Sequence, residues 1–220
     1  MKLKDILTFC LELFFPPHCI FCEKVIAPGT KVCKACADAI LPIHSIRRMN
    51  LPDSGQNIPC IVLYPYEDLV RDSIIRFKFY GEKKNADFYA DHLAELIAKQ
   101  SKSATFDLVT AVPISTQRQK MRGYNQSELI ARKVAGRLKL SFAQCLTKVQ
   151  DNPEQHRLSR AERIQNVKGV YRAHEQIVAN KNILLIDDIV TTGSTLCECA
   201  CTLRKEGART VVCAAVAQVS

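Results

Sequence analysis

The chain has 220 residues, 47% of them hydrophobic and 24% charged, a composition that excludes a disordered or fibrous protein. Lys and Arg exceed Asp and Glu by 31 − 22 = 9. The expected partners of so basic a chain are polyanions, a pyrophosphate ester or a nucleic acid alike. No stretch of about 18 uncharged apolar residues occurs, so no membrane-spanning helix is expected.

At the front, Leu3, Ile6, Leu7, Cys10, Leu13 and Phe14 fall on one helical face, and Pro16-Pro17 ends the pattern. Asp5 and Glu12 interrupt the apolar stretch and no small-residue cleavage site follows, which argues against a signal peptide. The spacing predicts an amphipathic helix docked on its own protein rather than on a membrane surface. The chain is accordingly expected in the cytoplasm.

The chain holds eleven cysteines, an odd number in a sequence neither short nor secreted in character, so a disulfide scaffold is not expected. Their spacing says more. Cys19 and Cys22 form one CxxC, Cys33 and Cys36 a second, and Pro28-Gly29 between them turns the second pair back toward the first. Four converging thiolates suit tetrahedral Zn²⁺, and a segment this small needs the metal to offset its ordering entropy. Cys197, Cys199 and Cys201 cannot share an ion at one-residue spacing on a helix and read as small core residues. Residues 1–49 are thus expected to hold the helix and a structural zinc module. The turn-rich NLPDSGQNIP, 50–59, reads as a linker, and 60–220 as the main domain.

From residue 60 onward, CIVLYPY, FDLVTAVP, FAQCLTKV, NILLIDDI and TVVCAAVAQ look like strands, several apolar throughout. Helical spacing occupies 68–80, 84–100, 125–138 and 194–206. This alternation predicts an α/β fold with a mostly parallel sheet wrapped by helices. The polar, basic stretch 150–168 has too few core residues for an element and reads as a functional or mobile connection.

The strongest signal is ILLIDDIVTTGST, 183–195. Asp187 and Asp188 end a buried strand, where ligands bind in open α/β sheets. Thr191, Thr192, Gly193, Ser194 and Thr195 then turn into a helix, aiming N–H groups and hydroxyls at an anion. The carboxylates repel phosphate but accept hydrogen bonds from sugar hydroxyls. A pentose with a 5′-phosphate is what such an arrangement fits. An ATPase strand with metal-binding acids is the rival reading, but no GxxxxGK[ST] loop accompanies it.

The segment resembles, without a gap, the thirteen-residue phosphoribosyl-pyrophosphate (PRPP) signature of type-I phosphoribosyltransferases. That resemblance implies ribose hydroxyls on Asp187 and Asp188 and the 5′-phosphate on Thr191 to Thr195. It further calls for a pyrophosphate loop after an earlier strand, for which Val112, Pro113 and Ile114, followed by Arg118 and Arg122, are the candidates, with Mg²⁺ accompanying the polyanion. The 150–168 connection, with Arg157, Arg160 and Arg163, is expected to act as a mobile loop that closes over the site.

A four-cysteine module ahead of a PRPP domain is similar to the ComF (ComFC-type) competence family. YPYEDLVRDSIIRFKFYG (64–81), RGYNQ (122–126) and the Gln155, Leu158, Arg163, Asn166 series before GVY extend the likeness over nearly the whole chain. Asp68 stands where a glycine is common and Ala111 where proline is frequent. The resemblance implies a role in natural transformation, bringing single-stranded DNA into the cytoplasm with a helicase-like partner. Arg76, Lys78, Phe79 and Tyr80 offer the mixture of cations and rings that single strands prefer, and an amphipathic helix burying its rings reads equally well. Two activities remain open: a transferase moving phosphoribose from PRPP to a base or amine, and a binding protein that uses PRPP as a regulator.

Overall fold

A computed structural model describes residues 16–51, 57–101, 105–150 and 169–219. The helix expected at the extreme N-terminus and the arginines of the 150–168 connection lie outside the described residues. The strands in chain order are β1 (Ser45–Asn50), β2 (Asn57–Pro65), β3 (Leu108–Ala111), β4 (Ser141–Phe142), β5 (Leu146–Lys148), β6 (Tyr171–Ala173), β7 (Asn182–Val190) and β8 (Thr210–Gln218). The helices are α1 (Lys34–Ala39), α2 (Asp68–Phe79), α3 (Asn85–Gln100), α4 (Thr116–Arg122), α5 (Gln126–Leu138), α6 (Glu175–Val178) and α7 (Ser194–Lys205).

Six strands form one sheet in the order β1-β2-β8-β7-β3-β4, and only β1 runs antiparallel to its neighbour. The sheet is therefore mostly parallel, and β5 with β6 makes a separate antiparallel pair. Because side chains alternate across a strand, β7 sends Leu184 and Ile186 into one core and Ile183 and Leu185 into the other. Helices α3 and α5 cover the first face, whereas α7 covers the second. Both faces are thus dry, which is why these strands read as apolar runs rather than alternating ones.

Two differences from the sequence reading stand out. FAQCLTKV is not one strand: Phe142 ends β4 in the main sheet, and Leu146 begins β5 in the small one. Gln144, between them, donates through Nε2 to the carbonyls of Ala111 and Leu146, and Cys145 N donates to Thr110 Oγ1, so the chain is turned off the sheet at this point. Secondly, the stretch read as a linker joins paired strands, with Asn50 and Asn57 as register partners. SIRRMN had no apolar alternation to reveal it as an edge strand; Ile46 faces solvent and Met49 is buried.

The four-cysteine segment is not a pendant. Phe21, inside the first CxxC, is only 2% exposed and meets Tyr64 and Phe88 edge-on at 6.0 and 5.7 Å. Edge-to-face rings at this spacing are favourable beyond their burial. A segment this small has no interior for a phenyl ring, so Phe21 shares the core of the main sheet.

Helix α2 shows how local sequence sets the site. Val70, Ile74 and Phe77 recur at helical spacing and are buried, while Arg76 and Lys78 occupy the last turn, favourable for the helix dipole. Its first residue, Asp68, has φ +40°, the left-handed region that glycine adopts without strain.

Candidate functional site

Strands β3 and β7 are parallel neighbours whose following helices, α5 and α7, pack on opposite faces. Such a reversal leaves a crevice at the carboxyl ends of the strands, where ligands bind in open α/β sheets. Asp187 and Asp188 lie at this point near the end of β7, and Val112 follows β3 with its N–H bonded to Ile186 O at 3.0 Å. The ribose and pyrophosphate candidates read from sequence are therefore brought side by side.

Both carboxylates are nearly buried. Asp187 Oδ1 accepts from Ser127 Oγ at 2.8 Å and from the Asp188 N–H at 2.9 Å. Asp188 Oδ1 meets Lys78 Nζ at 2.9 Å. Burial, followed by the neighbouring Asp188 charge, pushes the Asp187 carboxyl up to about 7, although Ser127 and Lys78 act in the opposite direction. Ionising Asp187 in this buried place is costly, and a strongly perturbed acid in a crevice is a functional-site candidate.

The loop after β7 is preformed. Thr191, Thr192, Gly193, Ser194 and Thr195, with Asp187 below them, line a small hollow. Gly193 has φ +85° and caps α7, and its carbonyl accepts from Cys197 N at 2.8 Å. Thr192 Oγ1 lies 2.7 Å from Ser194 Oγ and accepts from Ser194 N at 3.3 Å. Hydroxyls and free amides at a helix N-terminus make an anion seat.

The loop is held from outside by β1, which the sequence did not reveal. Arg47 Nη1 donates to Thr191 O at 2.8 Å, and Met49 Sδ lies 2.8 Å from where a Cβ on Gly193 would sit. Neither residue carries a local signal; they arrive through the pairing of β1 with β2.

Around the pyrophosphate candidates, Ser115 caps α4 by accepting from Arg118 N, and Asn125 caps α5 by accepting from Ser127 N and Glu128 N. Asn125 Nδ2 also donates to Val112 O at 2.9 Å, so one side chain fixes both the helix that presents Ser127 and the loop after β3. The N-x-x-E spacing of Asn125 and Glu128 was a legible cap. Arg122 bonds Gln126 Oε1 at 3.0 Å and stacks over Phe79 at 4.8 Å.

Of the nucleic-acid candidates, Arg76 and Lys78 point inward to partners, while Phe79 and Tyr80 are 54% and 75% exposed. Phe77, by contrast, is buried against Tyr89 and Tyr124. One ring of the cluster belongs to the core and two face solvent.

The thiols of Cys19, Cys22, Cys33 and Cys36 all lie within 4.8 Å of one another, and those of Cys22 and Cys33 are 3.6 Å apart. Four sulfurs about 2.3 Å from a tetrahedral Zn²⁺ are separated by about 3.8 Å, so the residues fit the metal. Against the effect of burial, backbone N–H groups of Cys22, Cys33 and Phe21 bring the Cys19 thiol down to about 6, whereas burial and the neighbouring thiols push the Cys36 thiol up. None of the ten described cysteines is in a disulfide, and Cys197 and Cys199 are buried in the second core.

Fold and site define a phosphoribosyltransferase-type α/β domain joined to a four-cysteine zinc ribbon. In agreement, residues 124–220 match the phosphoribosyl transferase domain family and residues 10–47 the double zinc ribbon domain. The DNA utilization protein YhgH of Salmonella typhimurium is 30% identical over 218 residues, covering 90% of this chain and 96% of its own. Competence protein F of Haemophilus influenzae is 30% identical over 162 residues, covering 67% of each chain. Competence protein ComFC of Bacillus subtilis is 28% identical over 157 residues, covering 68% of this chain and 60% of its own. Among solved structures, an adenine phosphoribosyltransferase is 13% identical with a TM-score of 0.44, covering 80% of this chain and 85% of its own. The chain belongs to the ComF-type family.

Among the described residues, no helix is long and apolar enough to cross a membrane.

Proposed function

We propose that this chain binds Mg²⁺·PRPP and serves, in the cytoplasm, the uptake of single-stranded DNA during natural transformation. The observation that carries the first half is the buried Asp187–Asp188 pair beside the Thr191–Thr195 loop at the sheet's switch point. Ribose 2′ and 3′ hydroxyls donate to the two carboxylates. The 5′-phosphate takes the amides and hydroxyls of the loop, and the pyrophosphate with its Mg²⁺ meets Val112 to Ile114, Arg118 and Arg122. The second half rests on the names of the relatives and on the exposed rings of Phe79, which Arg122 overlies, and Tyr80, as stacking surfaces for bases.

Calorimetric titration with Mg²⁺·PRPP tests the first half: saturable binding that ribose 5-phosphate competes for is expected, and no binding at millimolar PRPP overturns it. Titration with a labelled single-stranded oligonucleotide, with and without PRPP, tests the second. Equal affinity in wild type and in Phe79→Ala/Tyr80→Ala removes the stacking role.

One observation favours a second reading, an active transferase delivering phosphoribose to a base or amine. Residues 124–220 match the phosphoribosyl transferase domain family, and the buried Asp187 carboxyl, raised above the ordinary carboxylate range, sits beside the proposed ribose seat. Pyrophosphate release from Mg²⁺·PRPP in the presence of acceptor bases separates the two readings.

A further inference from the structure

Helix α2 reaches both halves of the molecule with residues of a single turn. Arg76 Nη2 donates to Ile20 O at 2.7 Å and Phe21 O at 2.8 Å, the two carbonyls between Cys19 and Cys22. Two residues further on, Lys78 meets Asp188. Successive residues are about 100° apart around a helix, so these two side chains leave it on nearly opposite sides. A helix that is rotated or shifted to release one must move the other.

The turn is clamped from a third direction. Tyr124 OH donates to Phe77 O and Gln126 Nε2 to Lys78 O at 3.3 Å, so carbonyls near the end of α2 find partners on the segment that leads into Asn125 and Ser127. Lys78, which meets Asp188, and the segment leading to Ser127, which meets Asp187, are thus joined at the last turn of α2. The Arg76 side chain is 15% exposed, with Glu23 at 3.5 Å and Glu82 at 3.8 Å as its charged neighbours. If the CxxC turn loses its order, the guanidinium loses two strong acceptors while remaining largely out of water, which is unfavourable where it stands.

We infer that Arg76 is a positioning residue coupling the zinc knuckle to the ribose carboxylates. Zinc on the four thiols would order the Cys19–Cys22 turn that presents the Ile20 and Phe21 carbonyls, those carbonyls hold α2 through Arg76, and α2 holds Lys78 against Asp188. The inference rests on the proposed PRPP site. Linkage is reciprocal: if an ordered knuckle favours PRPP, bound PRPP must favour the ordered knuckle.

The test uses the full chain loaded with one zinc. Zinc affinity is measured by equilibrium competition with a chromogenic chelator in Mg²⁺ alone and in saturating Mg²⁺·PRPP, and PRPP binding is measured by calorimetry on the same preparation. PRPP should raise the zinc affinity at least about fivefold, the lower end of ordinary coupling between sites. Arg76→Gln, compared at equal starting zinc content, should abolish that gain. Arg137→Gln, which cuts the exposed bridges from α5 to Asp87 and Asp91, should keep it, so general destabilisation is controlled. If R76Q does not retain zinc, the wild-type comparison decides alone. Calorimetric binding of PRPP with unchanged zinc affinity overturns the coupling and leaves the PRPP site standing; absence of PRPP binding overturns both.

Discussion

Ser127 Oγ, at the start of α5, donates to Asp187 Oδ1 at the end of β7, and this one bond joins a helix cap to a buried acid. Even with that donor, Asp187 is held at about 7, well above the ordinary carboxylate range, chiefly by burial. The folded protein therefore binds a proton more readily than the unfolded chain between about pH 4 and 7. Stability contributed at this position falls as pH rises through that window, because the carboxylate must ionise in a dry place. Asp187→Asn should consequently be more stable than wild type at pH 8, by on the order of 1–3 kcal/mol. The difference should shrink toward zero by about pH 4. Urea unfolding across pH checks this; a gap independent of pH would contradict it.

Asp188→Asn should weaken Mg²⁺·PRPP binding at least about tenfold, since a charge-assisted acceptor for a ribose hydroxyl is replaced by a neutral amide. Lys78, left without its 2.9 Å partner, adds to the loss. Calorimetry on both proteins decides, and equal affinities would remove Asp188 from the site.

Gly193→Ala should destabilise the fold and impair the phosphate loop together. The new methyl meets Met49 Sδ at 2.8 Å, and φ is +85°. Forcing a residue with a side chain into that backbone region costs about 1–3 kcal/mol. Pairing the change with Met49→Ala should relieve the clash but not the backbone strain, so the double variant should recover only part of the lost stability in thermal unfolding.

Purified protein should hold one zinc per chain, and Cys33→Ser should lose it. Because Phe21 packs on Tyr64 and Phe88 of the main core, metal loss should not be confined to the N-terminal segment. The melting temperature of the whole chain should fall, and chelator treatment of wild type should reproduce the shift. Metal analysis with thermal unfolding tests both statements.

Much of the framework was readable from residues alone. NILLIDDI and TVVCAAVAQ lie in β7 and β8, and the helical segments fall within a residue or two of α2, α3, α5 and α7. These elements are long and apolar in a periodic way, so local pattern and tertiary demand coincide. FAQCLTKV misled because an apolar run does not say where a chain leaves its sheet. That was decided by Thr110 and Ala111, which engage Cys145 and Gln144 from a distant strand.

By itself, then, the amino-acid order determined the cysteine quartet, the acidic strand end and the hydroxyl-rich bend, each built from near neighbours whose chemistry depends on spacing. Only the tertiary structure decided that Arg47 and Met49 brace that bend, that Lys78 meets Asp188, and that Arg76 grips the knuckle. Such partners are set by strand pairing and helix packing between segments far apart in the chain, and periodicity within a segment carries no record of what will be placed against it.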